Sequence, residues 1–398
     1  MPEQLKRTLT AVLSTDTAHT HPYFTPEHEL LRQTVRRFVR ERVEPAAAQW
    51  EKEGCVPRPV LREMGELGLL GIRYPQRHGG SELDVLSTII LAEELGRSTY
   101  GGFAITVLVH TDMASPHLMH AGTPGQQDRY MPDLVAGRRI SAVAMTEADA
   151  GSDLQSMRTS ARRHGDRWVL NGSKMFITNG VHADVYFVAA KTGATTRGRD
   201  ISMFIVEKGD PGFSVARPLE KTGWLSSDTA ELAFQDCEIP ADRLLGEENK
   251  GFYALMKNLQ NERIVLGAQA MGEASRAIEL TLDWVRQRHA FGRTLWDLQA
   301  VRQRLAMRRA EVAAAQALIY NTGWRITQGQ EVTAEVSMIK ALAGNLVNQV
   351  LYDCVQFHGG MGFIRETAVE RMARDVRVQS IGGGATEVML EEVAKRLP

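Results

Sequence analysis

AMTEADAGSDLQSMRT, residues 144–159, marks the point where the sequence changes character. Segments with the 3.6-residue period of helices precede it, short alternating runs follow it, and helical periodicity returns near Lys250. Small and hydroxylated residues stand together here, so backbone N–H groups and hydroxyls can approach a ligand that bulky side chains would hold away. These residues are Thr146, Ala150, Gly151 and Ser152. We interpret the stretch as the floor of a cofactor site between two helical parts of the chain.

The composition is that of a globular protein with more than one core. The chain has 398 residues, 43% of them hydrophobic, which suffices for two or three packed layers or domains. A formal net charge of −1 gives no global field that would attract nucleic acid or an anionic membrane. Cys55, Cys237 and Cys354 are widely spaced without a CxxC pair, which argues against a disulfide framework and a zinc site. We therefore expect a cytoplasmic protein without a metal.

The N-terminal residues 1–23 are predicted to form a mobile tail. Glu3 and Asp16 argue against a transit peptide, because such peptides are poor in acidic residues. No apolar run approaches the ~20 residues that a membrane span requires.

Changes in periodicity predict three domains. Residues 24–140 contain amphipathic helical segments and form an all-α domain, which begins at the Thr25-Pro26 helix start. Residues 141–246 alternate with the period of strands and form a β-domain. Residues 247–398 return to long helical segments and predict a helical bundle.

Within the β-domain, Asn171-Gly172 stands between two short apolar runs. An Asn-Gly pair in that position is typical of a two-residue hairpin turn, so we predict a β-hairpin there. The polar stretch Ala194–Asp200 is predicted to be a loop.

The pattern T-E-x-x-x-G-S-D at Thr146–Asp153, followed by NGSKMFITNG at Asn171–Gly180, resembles the flavin-binding signature of the acyl-CoA dehydrogenases. The resemblance extends from about Phe24 to Leu397. It implies an α+β protein with the acyl-CoA dehydrogenase fold: an N-terminal all-α domain, a middle β-barrel-like domain and a C-terminal four-helix bundle. It also implies FAD as the cofactor and a homotetramer, assembled as a dimer of dimers.

The catalytic base follows from two positions considered together. Most members of this family place a glutamate near the C-terminus in a Y-E-G-T motif, but here the matching position is Gly383, which cannot take a proton. Long-chain and isovaleryl-type members lack that carboxylate too and supply the base from a helix, immediately before an arginine, as in Glu262-Arg263. The resemblance therefore implies that Glu262 removes the α-proton while flavin N5 takes the β-hydride. Gly383 still offers a backbone N–H to the thioester oxygen.

The resemblance assigns further residues to FAD. Thr146 would contact the pyrimidine side of the flavin ring and Thr178 would approach N5, while Arg288 would reach the pyrophosphate of a neighbouring subunit. The implied set is Val143, Met145, Thr146, Gly151, Ser152, Phe176, Ile177, Thr178, Arg288, Phe291, Gln299, Gln356, Gly359, Gly360, Ala385, Thr386 and Glu387.

The acyl-CoA path is implied in the same way. It would be lined by Ser152, Tyr253, Gln260, Arg263 and Gly384. Arg263 has an alternative role, which is to brace Glu262 through helix packing. Chain-length preference would depend on the depth of a cavity set by Val85–Leu95 and Phe252–Leu266.

These residues predict FAD-dependent conversion of an acyl-CoA, medium, long or branched, to the trans-2-enoyl-CoA, with electrons passing to electron-transfer flavoprotein. Three alternatives stay open: a dehydrogenase for acyl groups on a carrier protein in secondary metabolism, an acyl-CoA oxidase, and a DNA-binding relative. The last is suggested by the basic run Arg158, Arg162, Arg163 and Arg167 and opposed by the balanced overall charge, so no nucleic acid is expected.

Overall fold

The computed structural model describes residues 22–193 and 200–397. Most of the predicted tail and residues 194–199 of the predicted loop lie outside the described residues. The chain starts with a capping box, in which Thr25 and His28 exchange hydrogen bonds and Pro26 occupies the first helical turn. The helices that follow are α1 (Pro26–Phe38), α2 (Ala47–Glu53), α3 (Arg58–Glu66), α4 (Val85–Gly96), α5 (Gly101–Leu108), α6 (Ser115–Ala121) and α7 (Pro124–Val135).

Two segments of this helical part have π-helical geometry. Val39–Val43 continues α1, and Val109–Ala114 joins α5 to α6. The second segment, which we call the π-turn, is buried throughout. It faces the C-terminal helices described below.

The middle part of the chain is one eight-stranded sheet with the order β6-β7-β3-β2-β4-β5-β8, and β1 pairs with β4 in parallel. The alternating apolar residues predicted by the sequence pack on both of its faces. The strands are β1 (Ser141–Ala144), β2 (Ser160–His164), β3 (Arg167–Thr178), β4 (Val185–Lys191), β5 (Ile201–Glu207), β6 (Phe213–Pro218), β7 (Thr229–Pro240) and β8 (Leu244–Leu245).

The predicted hairpin at Asn171-Gly172 is wrong. Both residues lie inside the continuous strand β3, and the pairing of β3 with β7 shifts register at this point. The Asn171 amide exchanges hydrogen bonds of 3.0 and 2.9 Å with Asp236 on β7. Long-range strand pairing has therefore overridden the local turn preference and made the pair a β-bulge. The chain reverses instead at Gly165-Asp166, between β2 and β3.

The third part is helical again. It contains α8 (Gly251–Gln287), α9 (Gln299–Thr327), α10 (Thr333–His358), α11 (Ala368–Val376) and α12 (Thr386–Ala394), with the short strands β9 (His289–Ala290) and β10 (Arg293–Thr294) between α8 and α9. Helix α8 passes so close to α4 that a Cβ on Gly272 would lie 2.0 Å from the Glu93 carbonyl oxygen. The predicted α+β architecture, with its helical, β and helical parts in that order, is confirmed.

In the described part of the chain, none of the helices combines the length and apolar character needed to cross a membrane. Residues 22–193 and 200–397 also contain no group of three or more histidine, cysteine or acidic side chains arranged to hold a metal ion. The three cysteines are free thiols.

Candidate active site

Glu262 is a buried carboxyl group in the first half of α8, with 4% of the residue exposed. Asn258, one helical turn earlier, donates a 2.9 Å hydrogen bond from Nδ2 to Glu262 Oε1. The same amide donates to the carbonyl oxygens of Asp112, at 3.0 Å, and Met113, at 3.3 Å. The carboxyl group is thus held in one orientation against the π-turn.

Burial raises the pKa of Glu262 to about 7, although the hydrogen bond from Asn258 and the nearby Arg263 charge oppose the shift. A carboxyl group with this pKa is partly ionised at neutral pH and binds a proton more strongly than an exposed glutamate. Both properties suit a general base.

Arg263 does not pair with Glu262. Its Nε is buried without a hydrogen-bond partner in the described residues, and burial lowers its pKa. Charges on other elements also act on Arg263, among them Glu392, Arg396 and Lys340. An unpaired buried N–H favours the role of a ligand contact over that of a brace, because such a group costs free energy unless something accepts from it.

The glycine turn, residues Gly382–Gly384, packs on α8 beside the base. Gly383 and Gly384 have φ angles of +66° and +107°, which residues other than glycine adopt only with strain. A Cβ on Gly383 would lie 2.3 Å from Leu266 Cδ1, one turn beyond Glu262. Gly383 therefore lies against Leu266, one turn beyond Glu262, and a side chain at position 383 would require Leu266 to move as well as a strained backbone.

Lys340 on α10 holds this turn, a role that the sequence did not indicate. Its Nζ donates to the carbonyl oxygens of Gln379, at 2.6 Å, and Gly384, at 3.1 Å. Burial, together with the Arg263 charge, lowers the pKa of Lys340 to about 8. Because both partners are carbonyls that flank the glycine turn, Lys340 fixes the direction in which its N–H groups point.

The residues predicted to contact the flavin ring come together where β1, the following loop and β3 meet. Met175 N–H donates to the Thr146 carbonyl at 2.9 Å, which places Thr146 beside Phe176. Phe176 has a φ of +62° and is 64% exposed, so its ring stands free of the core. Val143 and Met145 pack in the same apolar cluster as the first two turns of α8. Ile177 is buried and Thr178 half-buried on the same strand, whereas Gly151 and Ser152 are exposed in the loop.

A buried ion pair anchors this loop to β3. Lys174 Nζ, which is fully buried, donates to Glu147 Oε1 at 2.8 Å and to the Met145 carbonyl at 3.0 Å. Glu147 also accepts hydrogen bonds from the backbone N–H groups of Arg158 and Thr159. Burial lowers the pKa of Lys174 to about 8, whereas Glu147 opposes that shift. Lys174 lies inside the quoted NGSKMFITNG motif, but its pairing with Glu147 was not predicted.

A second group of predicted FAD residues lies far from the first. Because α8 rises about 1.5 Å per residue, Arg288 at its end lies about 39 Å from Glu262. Arg288 is exposed, and Phe291 is 93% exposed with a φ of +54°. The neighbouring end of α10 is joined to this region by a hydrogen bond from Trp284 Nε1 to the Phe357 carbonyl. The other exposed members of this group are Gln299, Gln356, Gly359 and Gly360.

The remaining predicted residues are spread around the two regions. Thr386 is buried, and its hydroxyl contacts Asn345 and the Ser380 carbonyl, whereas Ala385 is half-buried and Glu387 is exposed. Tyr253 is exposed on the first turn of α8. Gln260 donates to the Thr333 hydroxyl at 2.5 Å, which points it toward the start of α10.

A cavity of about 250 Å³ lies between α4, the π-turn and α8. Both segments that the sequence assigned to the cavity contribute to its lining, with Thr88 and Leu91 from α4 and Asn261 from α8. Asn261 immediately precedes the candidate base. Glu262 does not line the cavity, but Asp112 does, and the Asn258 amide that donates to the Asp112 carbonyl also donates to Glu262.

Comparison with known families agrees with the observed order of a helical, a β and a helical part. Three family models match in succession: acyl-CoA dehydrogenase, N-terminal domain, over residues 25–138; middle domain, over residues 142–237; and C-terminal domain, over residues 249–397. The mitochondrial long-chain specific acyl-CoA dehydrogenase of Mus musculus is 41% identical over 94% of this chain and 87% of its own length. The mitochondrial isovaleryl-CoA dehydrogenase of Pongo abelii is 36% identical over 91% of this chain and 86% of its own.

Solved structures match over a similar extent. A probable acyl-CoA dehydrogenase from Mycobacterium abscessus has a TM-score of 0.92 and 39% identity, covering 94% of this chain and 100% of that one. A structure described as an electron transferring flavoprotein of Acidaminococcus fermentans has a TM-score of 0.91 and 33% identity. The match covers 96% of this chain and 99% of that one. The FAD complex of PigA has a TM-score of 0.90 and 27% identity. The match covers 94% of this chain and 98% of that one.

Proposed function

Because this chain belongs to the acyl-CoA dehydrogenase family of flavin-dependent oxidoreductases, we propose that it converts an acyl-CoA to the trans-2-enoyl-CoA with bound FAD as its cofactor. The observation that carries this proposal is the buried Glu262 carboxyl group, with a pKa of about 7, next to the glycine turn. An acidic group that binds a proton near neutral pH, beside backbone donors, is what removal of a thioester α-proton requires.

The residues of the chain divide this work. Asn258 occupies Oε1 of Glu262, so the other carboxylate oxygen, Oε2, takes the α-proton. The Gly383 N–H would donate to the thioester oxygen and stabilise the negative charge that develops there, while Lys340 holds the turn through the Gln379 and Gly384 carbonyls. FAD, when bound, supplies the acceptor for the β-hydride.

The residues present fit FAD. The exposed Phe176 ring and the half-buried Thr146 lie together, joined by the Met175–Thr146 hydrogen bond, and Thr178 is half-buried on the same strand as Phe176. The second group around Arg288 is too distant to complete the same site within one chain. We therefore propose a homotetramer, in which a neighbouring subunit brings Arg288, Phe291, Gln299, Gln356, Gly359 and Gly360 to the pyrophosphate and adenosine parts of FAD.

We propose electron-transfer flavoprotein as the electron acceptor and the cytoplasm as the compartment, which the three free thiols favour. A carrier-protein-bound acyl group is the second candidate substrate. An oxidase would instead form peroxide rapidly in air.

The test is anaerobic mixing of the purified holoenzyme with short, branched and long acyl-CoAs, followed through the absorbance of oxidised flavin. Bleaching by an acyl-CoA supports the proposal, and the most effective thioester gives the chain preference. If FAD is bound but only carrier-bound acyl groups bleach it, the second candidate substrate replaces the first.

The pH dependence of flavin reduction should report Glu262. We expect kcat/KM to rise with pH through about 7, because the base acts when it is ionised and burial raises its pKa to that value. The hydrogen bond from Asn258 opposes this shift, so Asn258→Leu should move the rising limb to higher pH by roughly half to one unit. If the rise of kcat/KM moved to lower pH in Asn258→Leu, the assignment of Glu262 as the titrating base would be contradicted. Flavin content and the circular dichroism spectrum serve as controls for the fold.

Moving the base to the position used by most relatives should fail. In Glu262→Gly combined with Gly383→Glu, the new side chain would start from a φ of +66° with Leu266 Cδ1 2.3 Å from its Cβ. We expect the double variant to be as inactive as Glu262→Gly alone in anaerobic flavin reduction. Adding Leu266→Ala removes the clash but not the backbone strain, so partial recovery in the triple variant would identify the clash as the dominant obstacle. Full recovery in the double variant would show that the glycine turn tolerates a side chain.

A further inference from the structure

The cavity that Asn261 and Asp112 line near Glu262 is mainly apolar, but it also carries several polar and charged side chains, which a plain hydrocarbon chain would not use. Leu69, Leu70, Ile72 and Leu91 form an apolar wall. Polar side chains from α4, the π-turn and α8 also line the cavity. Those with buried positions are Thr88, Thr111 and Asp112, with 2%, 8% and 4% exposed. Arg73 and His120 are exposed and lie toward solvent.

Asp112 is a buried carboxyl group in the cavity lining. Its Oδ2 accepts a 2.6 Å hydrogen bond from the Thr111 hydroxyl, and its Oδ1 lies 3.3 Å from the Asn261 amide nitrogen. Burial raises the pKa of this carboxyl group, whereas the hydrogen bond from Thr111 and the Arg73 charge oppose the shift. Arg73 also donates a 2.5 Å hydrogen bond to Asn261 Oδ1. Asp112 is also close to the base, because the Asn258 amide donates both to its carbonyl and to Glu262.

The volume limits what can enter. A water molecule occupies about 30 Å³ of liquid, so a cavity of about 250 Å³ accommodates about eight non-hydrogen atoms. An acyl chain whose α-carbon lies at Glu262 would place its distal carbons here. A wholly apolar chain would cover the Asp112 and Thr88 side chains without offering them a hydrogen bond, which is unfavourable.

We propose that this cavity selects acyl chains that carry a neutral hydrogen-bonding group, such as a hydroxyl, on their distal carbons. The inference rests on the proposed function. A hydroxyl both donates and accepts, so it can donate to Asp112 and accept from Thr88 or Asn261. A distal carboxylate is ionised and has no proton to donate to Asp112, so it would compete with Asp112 for the Arg73 charge instead of bonding to Asp112.

The experiment compares octanoyl-CoA with ω-hydroxyoctanoyl-CoA and its ω-carboxy analogue. We expect kcat/KM for flavin reduction to favour the hydroxylated thioester by about tenfold, the effect of one well-made hydrogen bond in a buried site. Asp112→Leu should reverse the preference, and Thr88→Val should reduce it. Leu91→Met, which changes an apolar lining residue for another of similar volume, should keep it. Thr88→Val provides the test if Asp112→Leu does not fold.

A wild-type preference for octanoyl-CoA or for the carboxylated analogue would overturn the inference, as would an unchanged ratio in both polar variants. Calorimetric titration of holoenzyme carrying Glu262→Gln separates this inference from the proposed function. Tighter binding of the hydroxylated thioester in the variant, without flavin reduction by the wild-type holoenzyme, would overturn only the dehydrogenase proposal. Equal affinities would overturn the selectivity.

Discussion

Glu262→Gln should lower the rate of flavin reduction by an acyl-CoA by roughly 100- to 10,000-fold, the contribution expected of a general base. The amide oxygen of the glutamine can still accept the Asn258 hydrogen bond, so the shape of the site is kept. A neutral amide, however, cannot take the α-proton. The measurement is anaerobic stopped-flow mixing at saturating thioester, together with the flavin content of both proteins.

Glu273→Gln is the matched control. Glu273 is another buried glutamate on α8, its pKa is raised to about 8 by burial, and it accepts a 2.9 Å hydrogen bond from Gln269, again one turn earlier. We expect this variant to keep most of the wild-type rate, because Glu273 reaches the glycine turn only indirectly, through a 3.2 Å hydrogen bond from the Gln379 side chain. If both variants lose activity equally, loss of a buried carboxyl group would account for the effect and Glu262 would not be the base.

Lys174→Met should destabilise the protein by about 3–5 kcal/mol, because it leaves Glu147 charged and buried without its partner. The loop from Met145 to Thr159 would lose its anchor on β3, and we expect bound flavin to be lost as well. Unfolding in urea and flavin retention on gel filtration measure the two effects. Adding Glu147→Gln should recover part of the stability, since the amide oxygen can still accept from the N–H groups of Arg158 and Thr159.

Arg167→Met offers the comparison on the same strand. Arg167 pairs with Glu238 at 2.9 Å, but both side chains are about half exposed, so the loss should be below about 1 kcal/mol. Equal losses in the two variants would contradict the role given to the buried pair. A Lys174→Met protein that keeps its flavin would show that the loop does not need this anchor.

The overall order of the fold and the family could be predicted from the sequence because both depend on signals that are local in the chain. The helical period, the strand alternation and the T-E-x-x-x-G-S-D pattern each lie within a short window, and the predicted resemblance to long-chain and isovaleryl-type members is confirmed. The combination of a glutamate at position 262 with a glycine at position 383 could also be recognised from the sequence, since both residues stand within recognisable motifs. Their catalytic roles stay predictions.

What the sequence did not reveal depends on contacts between distant residues. Lys174 and Glu147 are 27 residues apart, and Lys340 contacts carbonyls 39 and 44 residues away, so the burial of each lysine follows only from the folded chain. Asn171-Gly172 shows the reverse case. A strong local turn signal became a bulge because β3 pairs with β7 along its whole length. Asn258 could have been found from its spacing of four residues before Glu262, which places both on one helix face.

The π-turn at Val109–Ala114 has a consequence for how this protein could diverge. A π-helical turn is an α-helix that contains one extra residue, so deletion of a single codon would return the segment to regular α-helical form. Every residue on one side of the deletion would then rotate by about 100°, which would carry Asp112 out of the cavity and its carbonyl away from Asn258. In evolution, the gain or loss of one residue here would move both polar residues that the π-turn contributes to the lining, Thr111 and Asp112, at once, whereas point substitutions would have to replace them one at a time.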